Sequence, residues 1–136
     1  MATFVLVHGA WAGGWYWKRV RPLLTAAGHD VFTPTLTGLG ERAHLATPDI
    51  GLETHIRDVL GVLTYEDLSD VVLVGHSCGG IVITGVAERA PGRLAHLVYL
   101  DAYVPADGQS FLDLLVSPER AAMFREQART EGDGSL

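Results

Sequence analysis

The sequence predicts an α/β fold, a doubly wound and mostly parallel sheet, on three observations. Apolar runs of strand length recur along the chain, stretches with helical spacing separate them, and the strands are apolar throughout rather than alternating. A strand that is apolar on both faces must be covered on both. Helices that return the chain between parallel strands provide that cover.

The elements follow in order. Thr3 to His8 is the first strand. It starts straight after Met1-Ala2, without the basic stretch, apolar segment and small-residue cleavage site of a signal peptide. Trp17, Val20, Leu23, Leu24 and Ala27 then fall near one helical face, and Gly28 supplies the stop. His29 to Thr33 is the second strand. From Pro34 to Gly51 the chain holds Pro, Gly, Thr and charge without a period, which predicts a surface loop near a site. Leu52, Ile56, Val59, Leu60 and Leu63 restore helical spacing before the third strand, Val71 to Gly75. Thr84, Val86 and Ala87 continue a further helix until Pro91-Gly92 breaks it, and Leu94 to Asp101 is the fourth strand. Beyond it, Pro105-Ala106-Asp107-Gly108 predicts a turn and Phe111 to Arg129 a helical segment of mixed polarity.

Composition narrows the function classes. A hydrophobic content of 48% in 136 residues is enough for one packed core and excludes a disordered chain. The formal charge of -6, with no run of Lys or Arg, leaves no electrostatic footprint for nucleic acid or an anionic membrane. No apolar stretch approaches the roughly 20 residues that span a bilayer. Cys78 stands alone, so no internal disulfide forms, and the expected location is cytoplasmic. No His, Cys or acidic cluster has metal-ligand spacing. The glycine turns lack the Lys-Ser/Thr of a phosphate loop and the Gly-x-Gly-x-x-Gly of a dinucleotide site, so neither metal nor cofactor is expected.

The chemistry concentrates at Gly75-His76-Ser77-Cys78-Gly79, which lies between the third strand and the helix after it. A strand that reverses sharply into a helix holds the central residue in a strained, exposed conformation, and small residues at its flanks let the two backbones pass. Ser77 is therefore the candidate nucleophile; the alternative is a serine that caps a helix in a tight turn. An acyl-transfer nucleophile needs donors aimed at the oxygen that becomes negative, and backbone N–H groups supply them without reorganising. One comes from the residue after the serine, here Cys78, whose thiol is taken as small apolar filler. The other comes from the loop after the first strand, where the Ala10 amide is the candidate. Trp11 adjoins that loop and is placed to line an acyl pocket, while Trp15, Tyr16 and Trp17 are expected to pack the first helix onto the sheet.

At this point a resemblance is specific. Val7-His8-Gly9-Ala10-Trp11, Gly28-His29-Asp30-Val31, Thr35-Leu36-Thr37-Gly38-Leu39-Gly40-Glu41-Arg42, the Ser77 turn and Leu97-Val98-Tyr99-Leu100-Asp101-Ala102 occur in order. Together they resemble the N-terminal part of an α/β-hydrolase, nearest the branch of bacterial EstC-like esterases, plant methylesterases and hydroxynitrile lyases. The resemblance implies the α/β-hydrolase fold, with residues 1–102 as the N-terminal part of its core and 103–136 as the start of a cap. It also implies hydrolysis of small carboxylic esters through an acyl-enzyme, with Gly9 and Trp11 bordering the substrate. The lyases carry a threonine where this chain has Gly9 and often a glutamate where it has His76; both positions here resemble the esterases, whereas Cys78 is similar to the lyases. In the family the catalytic histidine follows the last strand, C-terminal to His8, His29, His44, His55, His76 and His96, and the acid follows a strand later than Asp101. His8 and His76 are accordingly expected to shape the loops. The chain is expected to be truncated after its fourth strand, without acid or base, and to expose a sheet edge open to self-association. Two alternatives stand beside the esterase: an inactive remnant or binding module of the same fold, and a hydroxynitrile lyase.

Overall fold

The computed structural model describes residues 1–104, so the predicted Pro105 turn, the Phe111 to Arg129 helix and nearly all of the 103–136 segment lie outside it. The four predicted strands are present within two residues of their expected bounds, as β1 Thr3–Val7, β2 Asp30–Phe32, β3 Val71–His76 and β4 Leu94–Leu100. They form one parallel sheet in the order β2-β1-β3-β4. Between them run the helices α1 Arg21–Ala26, α2 Leu52–Tyr65 and α3 Gly79–Arg89.

The alternation of side chains along each strand sorts the core into two layers. On one face Val5, Val7, Val71 and Leu73 meet Ile56, Val59 and Leu63 of α2 and Val82, Ile83 and Val86 of α3. On the other, Leu6, Val31 and Val74 meet Trp17. Both faces of β1 and β3 are covered, which is why those strands are apolar at consecutive positions.

Gly28 ends α1 as predicted. Its φ of 93° lies in the left-handed region that glycine enters freely, and the amides of Gly28 and His29 close on the carbonyls of Thr25 and Leu24. The helix ahead of it is shorter than its spacing suggests. Trp17 belongs to a separate 3-10 turn, Gly14–Trp17, and α1 begins only at Arg21. Trp17 is buried, yet Val20 and Leu23 face outward, because this short helix reaches the sheet mainly at its β2 edge.

The Pro34 to Gly51 segment is a loop, but it is held more tightly than a surface loop. Thr35 and Leu36 are buried within it. The amide of Thr37 donates to Asp58 Oδ2 at 2.7 Å, its hydroxyl donates to Oδ1 at 2.7 Å, and His55 Nε2 lies 3.0 Å from the Thr37 carbonyl oxygen. Helix α2 thus fixes the loop through two polar side chains. Beyond β4, Leu97, Val98 and Leu100 are exposed, and among the described residues no strand pairs with its outer edge.

Candidate active site

Strand β3 ends at His76 and α3 begins at Gly79, leaving Ser77 and Cys78 to make the reversal. Ser77 has φ 55°, a left-handed conformation that costs a residue with a Cβ about 1–3 kcal/mol. The surroundings hold it there. Its carbonyl accepts from the Gly80 amide at 3.1 Å and from the Tyr103 amide at 3.1 Å, so both α3 and the chain after β4 pin the turn. The flanking glycines are required by space. A Cβ on Gly75 would lie 2.7 Å from the Gly79 carbonyl oxygen, and one on Gly79 would lie 2.7 Å from that of Val7. This is the strained strand-to-helix reversal that the residue pattern predicts.

The loop after β1 runs directly beside the turn. A Cβ on Gly9 would stand 3.0 Å from Ser77 Cβ, which places the Gly9 backbone in contact with the serine. Next to it, the backbone amides of Ala10 and Cys78 both act on the Cys78 thiol. Ala10, next to Gly9, and Cys78, next to Ser77, lie on the two loops that meet here. The burial of the thiol raises its pKa, outweighing the two amides, which favour the thiolate. Cys78 is a neutral thiol at neutral pH. Trp11 follows with φ 58° and is 69% exposed, so its indole forms part of the open rim rather than of the core.

His8 is completely buried. Its Nδ1 lies 2.8 Å from the Gly9 carbonyl oxygen, and its Nε2 accepts from the Leu36 amide at 3.0 Å. Because Leu36 N–H can only donate, Nε2 carries no proton and Nδ1–H is the donor to Gly9. Burial lowers the pKa of His8. His76 lies under the aromatic cluster, stacked on Tyr16 at 5.2 Å between centroids and meeting Trp17 edge-on at 6.2 Å. His29 accepts from the Ala2 amide, His55 is bound to the Thr37 carbonyl, and His44 and His96 are exposed. None of the six histidines is hydrogen-bonded to the Ser77 hydroxyl. Asp101, with φ 49°, turns the chain out of β4 and is exposed.

A second network, not legible in the sequence, braces the first loop from behind. Thr35 Oγ1 accepts from the Gly14 amide at 2.8 Å and donates to Glu41 Oε2 at 2.8 Å, while Arg42 donates to the Thr35 carbonyl at 2.9 Å. The one signal that could have revealed the loop's other anchor is Asp58, a carboxylate set between Ile56 and Val59 on the inward side of α2. Among the described residues no group of three His, Cys, Asp or Glu side chains is placed to hold a metal, and no helix is long and apolar enough to cross a membrane.

Fold and turn together define an α/β-hydrolase, and comparison with known proteins shows the same. Residues 4–134 match the alpha/beta hydrolase family, and the chain belongs to it. It is 57% identical over 127 residues to the carbendazim hydrolyzing esterase of Nocardioides sp. (strain SG-4G), an alignment covering 91% of this chain and 52% of that protein. With methylesterase 1 of Arabidopsis thaliana it shares 38% over 104 residues, covering 75% and 40%. The structure of an extracellular alpha/beta-hydrolase from a Paenibacillus species superposes with a TM-score of 0.86 at 34% identity, covering 98% of this chain and 53% of that one. The chain thus spans about half the length of the relatives it matches. Those relatives are named as esterases and as an alpha/beta-hydrolase.

Proposed function

We propose that the chain carries the nucleophilic half of a serine carboxylic ester hydrolase for small esters. The observation that carries the proposal is the left-handed Ser77 between β3 and α3, with the loop after β1 in contact with it at Gly9. In the proposed reaction Ser77 Oγ bonds to the ester carbonyl carbon and its proton passes to a base. The carbonyl oxygen, negative in the tetrahedral intermediate, accepts from the Ala10 and Cys78 amides. The bond to the alcohol then breaks, the proton leaves with the alcohol, and water releases the acid from the acyl-enzyme. Gly9 gives the acyl group room beside Ser77, and Trp11 borders it. The base and its acid are expected in the part of a longer protein corresponding to the second half of the relatives.

The test is covalent labelling with a fluorophosphonate of a longer form of the protein that supplies the base, read by mass spectrometry. Modification at Ser77 that disappears in Ser77→Ala is the expected result. Absence of label on Ser77, with other serines reacting equally, would refute the assignment. Carbendazim, named in the 57%-identical relative, is the first substrate to try on any longer form of the protein.

One observation favours a second reading: no histidine in the chain reaches Ser77, so these 136 residues taken alone act as an inactive or binding form of the fold. Turnover of p-nitrophenyl acetate separates the two. Turnover by the chain at rates ordinary for esterases, on the order of 10 per second, would exclude the inactive form.

A further inference from the structure

We propose that a groove between helix α2 and the end of β2 binds an aromatic ammonium ion, with the ammonium group at Glu66 and the ring over Gly61. The groove shares no residue with the Ser77 turn or with the loop after β1, so the inference is independent of the reading of Ser77 as nucleophile.

Helix α2 buries Ile56, Val59 and Leu63 against the sheet. A second stripe, Asp58, Gly61, Val62 and Tyr65, follows the i, i+3, i+4, i+7 spacing and so occupies one side of the helix. With Arg21 and with Phe32 to Pro34 at the end of β2, this stripe lines an open groove of about 500 Å³. Gly61 lies in the middle of the stripe. Glycine inside a helix is destabilising relative to alanine, so its presence there needs a cause. In α3 the cause is contact. A Cβ on Gly79 would press on the Val7 carbonyl, one on Gly80 on the Tyr103 carbonyl, and one on Gly85 on the Ile56 side chain. A Cβ on Gly61 would meet nothing within 4 Å. Packing within the fold does not require this glycine, whereas a ligand that lies against the helix backbone does.

The two ends of the groove differ in charge. At one end Arg21 donates to Thr33, and both carboxylate oxygens of Asp58 accept from Thr37. Glu66 follows the last turn of α2, about 12 Å further along the helix from Asp58. Its carboxylate pairs with no cation among the described residues. The neighbouring Tyr65 ring is 91% exposed and makes no ring contact among them. A free carboxylate beside an open aromatic face attracts a cation by its charge and by the quadrupole of the ring, and it repels an anion. The formal charge of -6 acts in the same direction at longer range. Between the ends the lining is apolar, from half-buried Phe32 and Val62. A protonated amine with a flat apolar body matches this order of surfaces. Its charge meets Glu66 and Tyr65, and its ring lies on the bare backbone at Gly61.

The probe is phenethylammonium, followed through the backbone amide signals of Gly61 and Tyr65 in the 136-residue chain. Both signals should move saturably, with a Kd on the order of 10 mM, as expected for so small a ligand in an open groove. Phenylacetate has a similar ring and the other charge, and methylammonium lacks the ring; each should bind at least about threefold more weakly. Glu66→Gln should weaken phenethylammonium about two- to fivefold. Gly61→Leu should abolish the saturable movement at Tyr65 by filling the groove. Gly61→Ala should raise the urea midpoint, because nothing in the fold opposes its methyl group.

Phenylacetate binding as tightly as phenethylammonium would overturn the proposal, as would undiminished binding by Gly61→Leu or the absence of any saturable movement. A lowered midpoint in Gly61→Ala would overturn it too, by showing that the fold itself requires the glycine. Movement of the same two signals on dilution of the ligand-free chain would assign the groove to a second copy instead. If Gly61→Leu does not fold, Glu66→Gln decides, since that side chain is exposed beyond the helix end; undiminished affinity there would overturn the proposal.

Discussion

A single carbon atom added at Gly9 would press on Ser77 Cβ at 3.0 Å and on the His76 carbonyl oxygen at 3.2 Å. In a longer form of the protein that supplies the base, Gly9→Thr is therefore expected to slow fluorophosphonate labelling of Ser77 at least tenfold, by crowding the face from which an acyl group approaches. An unchanged rate would remove Gly9 from the site. His8 makes a prediction of a different kind. Its pKa in the fold is lowered, mainly by burial, with His55 adding to the effect and with the Gly9 carbonyl and Glu41 opposing it. The unfolded chain then binds the proton more readily, so the contribution of neutral His8 to stability is present above about pH 6.5 and falls away as pH drops below it. The urea midpoint of the chain should fall between pH 7 and pH 5. The fall should be smaller in His8→Gln, which removes the titrating group; an identical fall in both would assign the acid sensitivity elsewhere.

The elements were legible where one physical rule governs them. Continuous runs of Val and Leu mark β1 and β3 because both faces of those strands are covered, and the spacing of Ile56, Val59 and Leu63 marks α2 because a single stripe is buried. The rule weakened in α1. Val20 and Leu23 have helical spacing yet face outward, since spacing records which residues share a side and not whether a neighbour lies against it. Contacts between elements give two predictions. Gly79→Ala would drive a methyl group against the Val7 and His8 carbonyl oxygens, 2.7 and 2.9 Å away, and should destabilise the chain by about 1–3 kcal/mol in denaturant unfolding. A cost below about 0.5 kcal/mol would mean that β1 and α3 are not locked together at this point. Asp58→Ala removes both acceptors from Thr37 and should cost about 1–3 kcal/mol while raising amide exchange through Thr35 to Gly40. Unchanged exchange there would show that His8 and Glu41 hold the loop without α2.

At the scale of the whole molecule, the parallel sheet presents the unpaired outer edge of β4 among the described residues, with Leu97, Val98 and Leu100 exposed beside it. Such an edge pairs readily with another chain. Light scattering on the 136-residue chain is expected to show self-association; a monodisperse monomer with cooperative unfolding would show that the edge is covered. The sequence by itself determined the strands, the helix stripes and the Gly-x-Ser-x-Gly reversal, because each depends on residues within a few positions of one another. It could not determine the strand order β2-β1-β3-β4 or the burial of Leu36 against His8. Nor could it show the clamp of Asp58 on Thr37. Those depend on partners 21 or more residues away. Local propensity fixes how a segment folds, whereas the pairing of buried donors and acceptors is chosen only when distant segments meet and every polar group excluded from water must find a partner.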